Sequence, residues 1–181
     1  MIPHYDYFAE SLGGCPDIEE LKISNFYSPA TWLENSVLPT LTSIGETSLK
    51  GITTLQLSNC SLSGADMNAV AKYVAENECL YRLNLSRNNI DSVDTVKTLA
   101  KAIKNHPYLR HVNLAYCSLG GGDLGALKKI LFACQRCESL GIGHSDFGFD
   151  GAAMVAGYLG KKLHLLPSLF RRRPWTVTAA R

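Results

Sequence analysis

No stretch of this 181-residue chain approaches the roughly 20 consecutive apolar residues that a membrane-spanning helix needs, because Lys, Asp, Glu or Asn interrupts every apolar run. The pattern therefore predicts no membrane span. The first residues, Met1-Ile2-Pro3-His4-Tyr5-Asp6-Tyr7, lack both a basic n-region and an apolar h-segment, so nothing there reads as a secretory signal. That predicts a cytoplasmic setting, with the nucleus also open, and reduced thiols at the six cysteines. Acidic residues are missing from Lys161 onward, where six basic ones stand (Lys161, Lys162, Arg171, Arg172, Arg173, Arg181). The first 160 residues carry 12 basic and 16 acidic side chains, a net −4, which argues against nucleic acid as a partner of the body of the chain.

A constellation for chemistry is missing as well. Cys134-Gln-Arg-Cys137 matches a C-x-x-C, but no second pair completes a zinc site, and Cys137 falls at a position held elsewhere by leucine. Gly120-Gly121-Gly122 is not followed by the Lys-Ser/Thr of a phosphate loop and reads as a turn, with Asp123 capping the next helix. His106, His111 and His144 lack a nucleophile and an orienting acid, and read as solvated or capping residues. The sequence predicts no catalysis, metal, cofactor or small-molecule substrate.

What is present is a repeat. Four segments share the frame apolar-x-x-L-x-L-x-x-C/N-x-L: Ile52 to Leu62, Leu80 to Ile90, Leu109 to Leu119, and Cys137 to Phe147. Equivalent leucine positions, Leu55, Leu83, Val112 and Leu140, are spaced 28, 29 and 28 residues apart. A divergent copy lies upstream at Ile18-Glu-Glu-Leu21-Lys-Ile23. Behind each later strand come apolar residues at i, i+3, i+7: Met67/Val70/Val74, Val96/Leu99/Ile103, Leu124/Leu127/Leu131 and Ala152/Val155/Leu159. A short strand and an amphipathic helix cannot bury their apolar faces alone, whereas stacked copies can. With 46% hydrophobic residues the chain has enough apolar surface for one continuous core. The expected fold is α/β: a solenoid, arc or horseshoe in shape, with a parallel inner sheet and outer helices.

The 28- to 29-residue units, with a helix in each and Cys60, Asn88 and Cys117 closing the strands, resemble ribonuclease-inhibitor-type leucine-rich repeats over about residues 17 to 160. The resemblance implies a curved scaffold whose relatives bind proteins, among them inhibitors, actin-capping proteins, a GTPase activator and innate sensors. The organisation expected is a cap or partial repeat helix over 1–17, an array of about five units over 18–160, and a basic tail over 161–181 that is degenerate repeat or flexible. A further strand is due near Leu165, Ser168 and Phe170, where Pro167 interrupts it.

Because side chains alternate across a strand, the residues flanking the strand leucines face the concave side. They form a first column of Lys22, Gln56, Asn84, Asn113 and Gly141, and a second of Ser24, Ser58, Ser86, Ala115 and Gly143. The third column, nearer the loop, is Asn25, Asn59, Arg87, Tyr116 and His144. Most such polar residues only solvate an exposed sheet, but Arg87, Tyr116 and His144 have the composition of an anchor cluster. The predicted partner-binding face is thus Lys22, Gln56, Asn59, Asn84, Arg87, Asn113, Tyr116 and His144. The leading functional expectation is a non-catalytic scaffold that binds another protein. Two alternatives accompany it: a regulator of a small GTPase, with Asn59 or Arg87 as the nearest candidates, or of cytoskeletal assembly through the same repeat surface; and a basic tail that contacts nucleic acid or an acidic partner.

Overall fold

The computed structural model describes residues 17–25, 51–90, 92–119, 124–164 and 176–178. Their elements alternate as the repeat predicts: β1 (Glu20–Ser24), β2 (Thr54–Ser58), α1 (Gly64–Glu76), β3 (Arg82–Asn84), α2 (Val93–Asn105), β4 (His111–Asn113), α3 (Gly125–Ala133), β5 (Ser139–Gly141), α4 (Gly148–His164) and β6 (Thr176–Thr178). A 3₁₀ turn, Cys134–Arg136, follows α3. The six strands form one parallel sheet in sequence order. Its register aligns Leu21, Leu55, Leu83, Val112, Leu140 and Val177, which is the leucine frame read from the sequence with one further member.

One apolar layer lies between sheet and helices. Leu55, Leu57, Leu83, Leu85, Leu114, Leu140 and Ile142 supply the sheet side, and Met67, Val70, Val74, Val96, Leu99, Ile103, Leu127 and Leu131 the helix side; all are buried. Each side chain contributes about 1.5–3 kcal/mol of burial. Helix α1 starts on a reciprocal capping box, in which the Ser63 hydroxyl accepts from the Asp66 N–H at 3.2 Å and the Asp66 carboxylate accepts from the Ser63 N–H at 2.8 Å.

The slot after each strand carries the polar stitching of the core. Asn88 is buried; its carboxamide oxygen accepts from the N–H groups of Cys60 (3.0 Å) and Leu62 (3.3 Å), and its NH₂ donates to the carbonyls of Leu57 (2.7 Å), Leu85 (2.9 Å) and Ser86 (3.4 Å). Cys60 and Cys117 stand at the same slot and donate their thiols to strand carbonyls, at 3.4 Å to Ser58 and 3.2 Å to Leu85. Burial pushes the Cys117 thiol up to about 11, so it stays protonated and unreactive. Ser145, one methylene-scale reach shorter than Asn, occupies the slot in the next unit, and its buried hydroxyl has no hydrogen-bond partner among the described residues.

A second polar repeat runs along the helix C-termini. Asn77 ends α1 and donates to the Ile52 carbonyl at 3.1 Å. His106 ends α2; its Nδ1 accepts from the N–H groups of Tyr108 (3.2 Å) and Leu109 (2.9 Å), which leaves the proton on Nε2 to donate to the Asn77 carbonyl at 2.5 Å. His106 is therefore a buried neutral imidazole and not a charged cap on the helix dipole, and burial holds its pKa below the ordinary histidine value. One repeat on, the C-x-x-C is part of the same seam: Cys134 and Cys137 are buried thiols, and Lys162 of α4 donates to the Cys137 carbonyl at 2.6 Å.

Three local expectations change. The buried face of α4 is Val155, Tyr158 and Lys162, while Ala152 is exposed and Leu159 only partly buried, so this helix is turned relative to the sequence pattern. Tyr158 explains the turn: its hydroxyl donates to the Cys134 carbonyl at 2.7 Å, a bond that fixes one helix face. The cap position of α3 is Leu124; Asp123 lies outside the described residues. The sixth strand is Thr176–Thr178 and not the Leu165, Ser168, Phe170 segment, because α4 runs 17 residues, to His164, before the chain can return to the sheet. Residues 1–16 of the predicted 1–17 cap, and 165–175 and 179–181 of the tail with its arginine run, lie outside the described residues.

Candidate protein-binding face

The strand-flanking residues line one open hollow of about 780 Å³ across the sheet, reached by Lys22, Gln56, Asn84, Asn113, Tyr116 and His144 of the predicted set. The first two columns are largely tied to each other. Gln56 donates to the Ser24 hydroxyl at 2.8 Å, and the Ser24 and Ser58 hydroxyls lie 2.9 Å apart. Asn84 and Asn113 accept from the N–H groups of Ser86 (3.0 Å) and Ala115 (3.1 Å), two residues along their own strands. Their oxygens thus support the strand exits, while both side chains still line the open hollow. Gly141 leaves room beside them: a Cβ there would stand 2.4 Å from the Asn113 carboxamide oxygen, and that side chain would have to shift. Lys22 pairs with Glu20, whose carboxyl it holds below the usual range.

The third column is built differently. Asn25, Asn59, Arg87, Tyr116 and His144 all have left-handed backbone, with φ between 56° and 60°. This conformation turns the chain out of the strand, so that Cys60, Asn88, Cys117 and Ser145 drop into the buried slot, and it aims the N–H groups of the column's first four members at the neighbouring unit. Asn25 donates to Ser58, Asn59 to Ser86, Arg87 to Ala115 and Tyr116 to Gly143, at 2.8–3.0 Å. Asparagine suits left-handed backbone; a branched or bulky side chain there costs on the order of 1 kcal/mol.

Side chains of this column form a ladder along the sheet edge. Asn59 donates to the Asn25 carboxamide at 2.7 Å. The Arg87 guanidinium lies 4.3 Å from the centre of the Tyr116 ring, and Tyr116 stacks on His144 at 4.0 Å with only 7° between the rings. Arg87, Tyr116 and His144 are exposed, so the cluster expected from the sequence exists as one contiguous surface. It suits partner contact on composition and rigidity: Arg and Tyr, held by stacking, lose little side-chain freedom on binding.

The leucine frame did not single out a fourth column: Glu20, Thr54, Arg82, His111 and Ser139, one alternation step before the first. Its signal is present in the sequence, because period-2 alternation extends in both directions from the leucines. His111 proves to be half-buried and not simply solvated, packed edge-on to Tyr81 at 4.9 Å with its Nε2 3.9 Å from the Glu138 carboxylate. Tyr81 donates to the same carboxylate at 3.3 Å. Beyond the ladder, Phe147, Ala152, Val155, Ala156 and Leu159 line an apolar groove of about 820 Å³ whose rim is Tyr116 and His144. Among the described residues, no three His, Cys, Asp or Glu side chains gather as a metal site, and no helix is long and apolar enough to cross a membrane.

With this geometry in view, no protein-family model matches the chain, nor does any curated protein. Solved structures do. The chain is similar to the actin-binding site 2 of leiomodin-1, at a TM-score of 0.66 and 17% identity, over 91% of this chain and 92% of that one. It is also similar to the tropomodulin C-terminal domain of Caenorhabditis elegans, at a TM-score of 0.59 and 12% identity, over 90% and 95%. The fold is theirs. These matches correct the resemblance to ribonuclease-inhibitor-type repeats. The residues that carried it, the strand leucines and Cys60, Asn88 and Cys117, are buried core positions; they report the packing of sheet on helix, which the tropomodulin-like domains share, and do not select a subfamily.

Proposed function

We propose that the chain is a non-catalytic, curved repeat module that binds actin and acts in cytoskeletal assembly, with the sheet edge Arg87, Tyr116 and His144 as its anchor. What carries the reading is the near end-to-end fold similarity to a tropomodulin C-terminal domain and to the actin-binding site 2 of leiomodin-1. The in-order parallel sheet supports a solenoid, since each unit contacts its sequence neighbours. The exposed ladder supports a protein partner, as rigid Arg and Tyr surfaces are favoured anchors. An actin partner sets the chain inside the cell, in the cytoplasm; nothing favours the nucleus, and no observation favours the GTPase or nucleic-acid alternatives.

Cosedimentation with actin filaments, together with a monomer-binding titration, tests the proposal. Saturable binding of either form is expected. Absence of both, with the chain folded by circular dichroism, overturns the actin reading.

A further inference from the structure

The stacked ladder and the apolar groove are one surface, because Tyr116 and His144 belong to both. At one end stands Arg87, exposed, its guanidinium face covered by the Tyr116 ring and with no carboxylate within salt-bridge reach among the described residues. At the other end lie the aliphatic side chains of α4, with Ala152 and Ala156 exposed. Asp146 also lines the groove and repels an acid there, so negative charge on a ligand is placed at the Arg87 end alone.

The two stacking steps, 4.3 and 4.0 Å, put Arg87 and the groove rim two units apart, matching two inter-strand steps of about 4.8 Å. An extended peptide covers that distance in about three residues at roughly 3.3 Å each.

We propose that this surface takes an extended protein segment of the form acidic-x-x-apolar, with its carboxylate on Arg87, its backbone crossing Tyr116 and His144, and its apolar side chains in the groove beside α4. This deepens the reading of the sheet edge as a partner surface and does not require that the partner be actin. Charge complementarity selects the occupant: a basic-apolar segment would set its cation against Arg87, and a wholly acidic one would meet Asp146.

The test is a fluorescence-anisotropy titration of the full chain with a labelled peptide containing Glu-Ser-Ser-Leu-Phe. Saturable binding is expected, weakened about fivefold or more when Lys replaces the peptide Glu or when Ser replaces Leu-Phe. Arg87→Glu reverses the preference between the Glu and Lys peptides. Ala152→Glu, at an exposed helix position that leaves the core untouched, weakens both. No saturable binding up to about 1 mM, equal binding of the Glu and Lys peptides, or indifference to Arg87→Glu overturns the proposal; so does self-association abolished by Ala152→Glu, which gives the groove to a second copy of the chain. Actin binding without peptide binding removes this segment and leaves the actin reading, whereas peptide binding without actin binding does the reverse.

Discussion

Residues 87 and 88 are neighbours in one loop and do opposite things. Asn88 faces the core and joins two backbone segments, 57–62 and 85–86, through five hydrogen bonds, in a slot that its equivalents fill with Cys60, Cys117 and Ser145. Arg87 faces out, at the edge column whose other members are Asn25, Asn59, Tyr116 and His144. The buried column keeps to small groups because a fixed packing volume and a fixed set of loop carbonyls and N–H groups dictate it. The outer column shares a backbone conformation, and there the side chains drift from the two asparagines, which suit that conformation, to Arg and Tyr, which do not, and to His, which tolerates it. Accepting that strain at Arg87 and Tyr116 is consistent with the surface role proposed for the C-terminal half of the column.

The contrast can be broken most forcefully from inside. Asn88→Ala orphans buried N–H and C=O groups and is expected to cost about 3 kcal/mol, lowering the melting temperature by roughly 10 °C; Asn88→Cys, the chemistry its neighbours use, should cost less than half of that in the same urea or thermal series. From outside, Tyr116→Ser removes the centre of the stack. It should weaken the partner complex about tenfold while changing stability by less than about 1 kcal/mol, as read by titration and denaturation on one preparation.

A pH series separates the interior seam from the edge. The His106 pKa is lowered in the folded chain by burial, so the unfolded chain takes up the proton first. Its contribution is complete above about pH 6.5 and is lost as the pH falls below it. Thermal unfolding from pH 7.5 to 5.5 should show that decline, and His106→Asn, which copies Asn77 one unit earlier, should flatten it. The smallest effect sharpens the comparison most: Arg87→Asn relieves left-handed strain and is expected to raise stability by about 0.5 kcal/mol while weakening partner binding. A variant that gains neither stability nor loses affinity would show the two columns to be equivalent.

Much of the fold was legible because burial writes itself into the sequence with a period. The leucine frame anticipated the strand register from Leu21 to Leu140, and the helix faces of α1 to α3 followed from i, i+3, i+7 spacing. The frame anticipated a fourth helix and the burial of Val155, but not the rest of the buried face of α4, its length, or the place of β6. There, single contacts outweigh periodicity: the Tyr158 bond to the Cys134 carbonyl and the Lys162 bond to the Cys137 carbonyl rotate and extend the last helix, and a lysine among the buried residues is invisible to an apolar pattern. At the candidate site, alternation placed the columns but not their chemistry. Nothing in the residue types of Asn84 and Asn113 showed that they fold back on their own strands, and nothing in Arg87, Tyr116 and His144 apart from spacing showed that they stack. The subfamily was not legible for the same reason, and the resemblance misplaced it: the periodic residues speak for the core, and the surface carries the difference.

The account rests on the edge column being a binding surface that the fold does not need. Its most direct test is the dissociation constant for actin of the chain and of the double variant Arg87→Asn/Tyr116→Asn, measured by cosedimentation beside the unfolding midpoint of each. The account predicts that the parent binds and that the double variant loses at least about tenfold in affinity with an unfolding midpoint equal to or above the parent's. Equal affinities, or a loss of binding matched by a loss of stability, would contradict it.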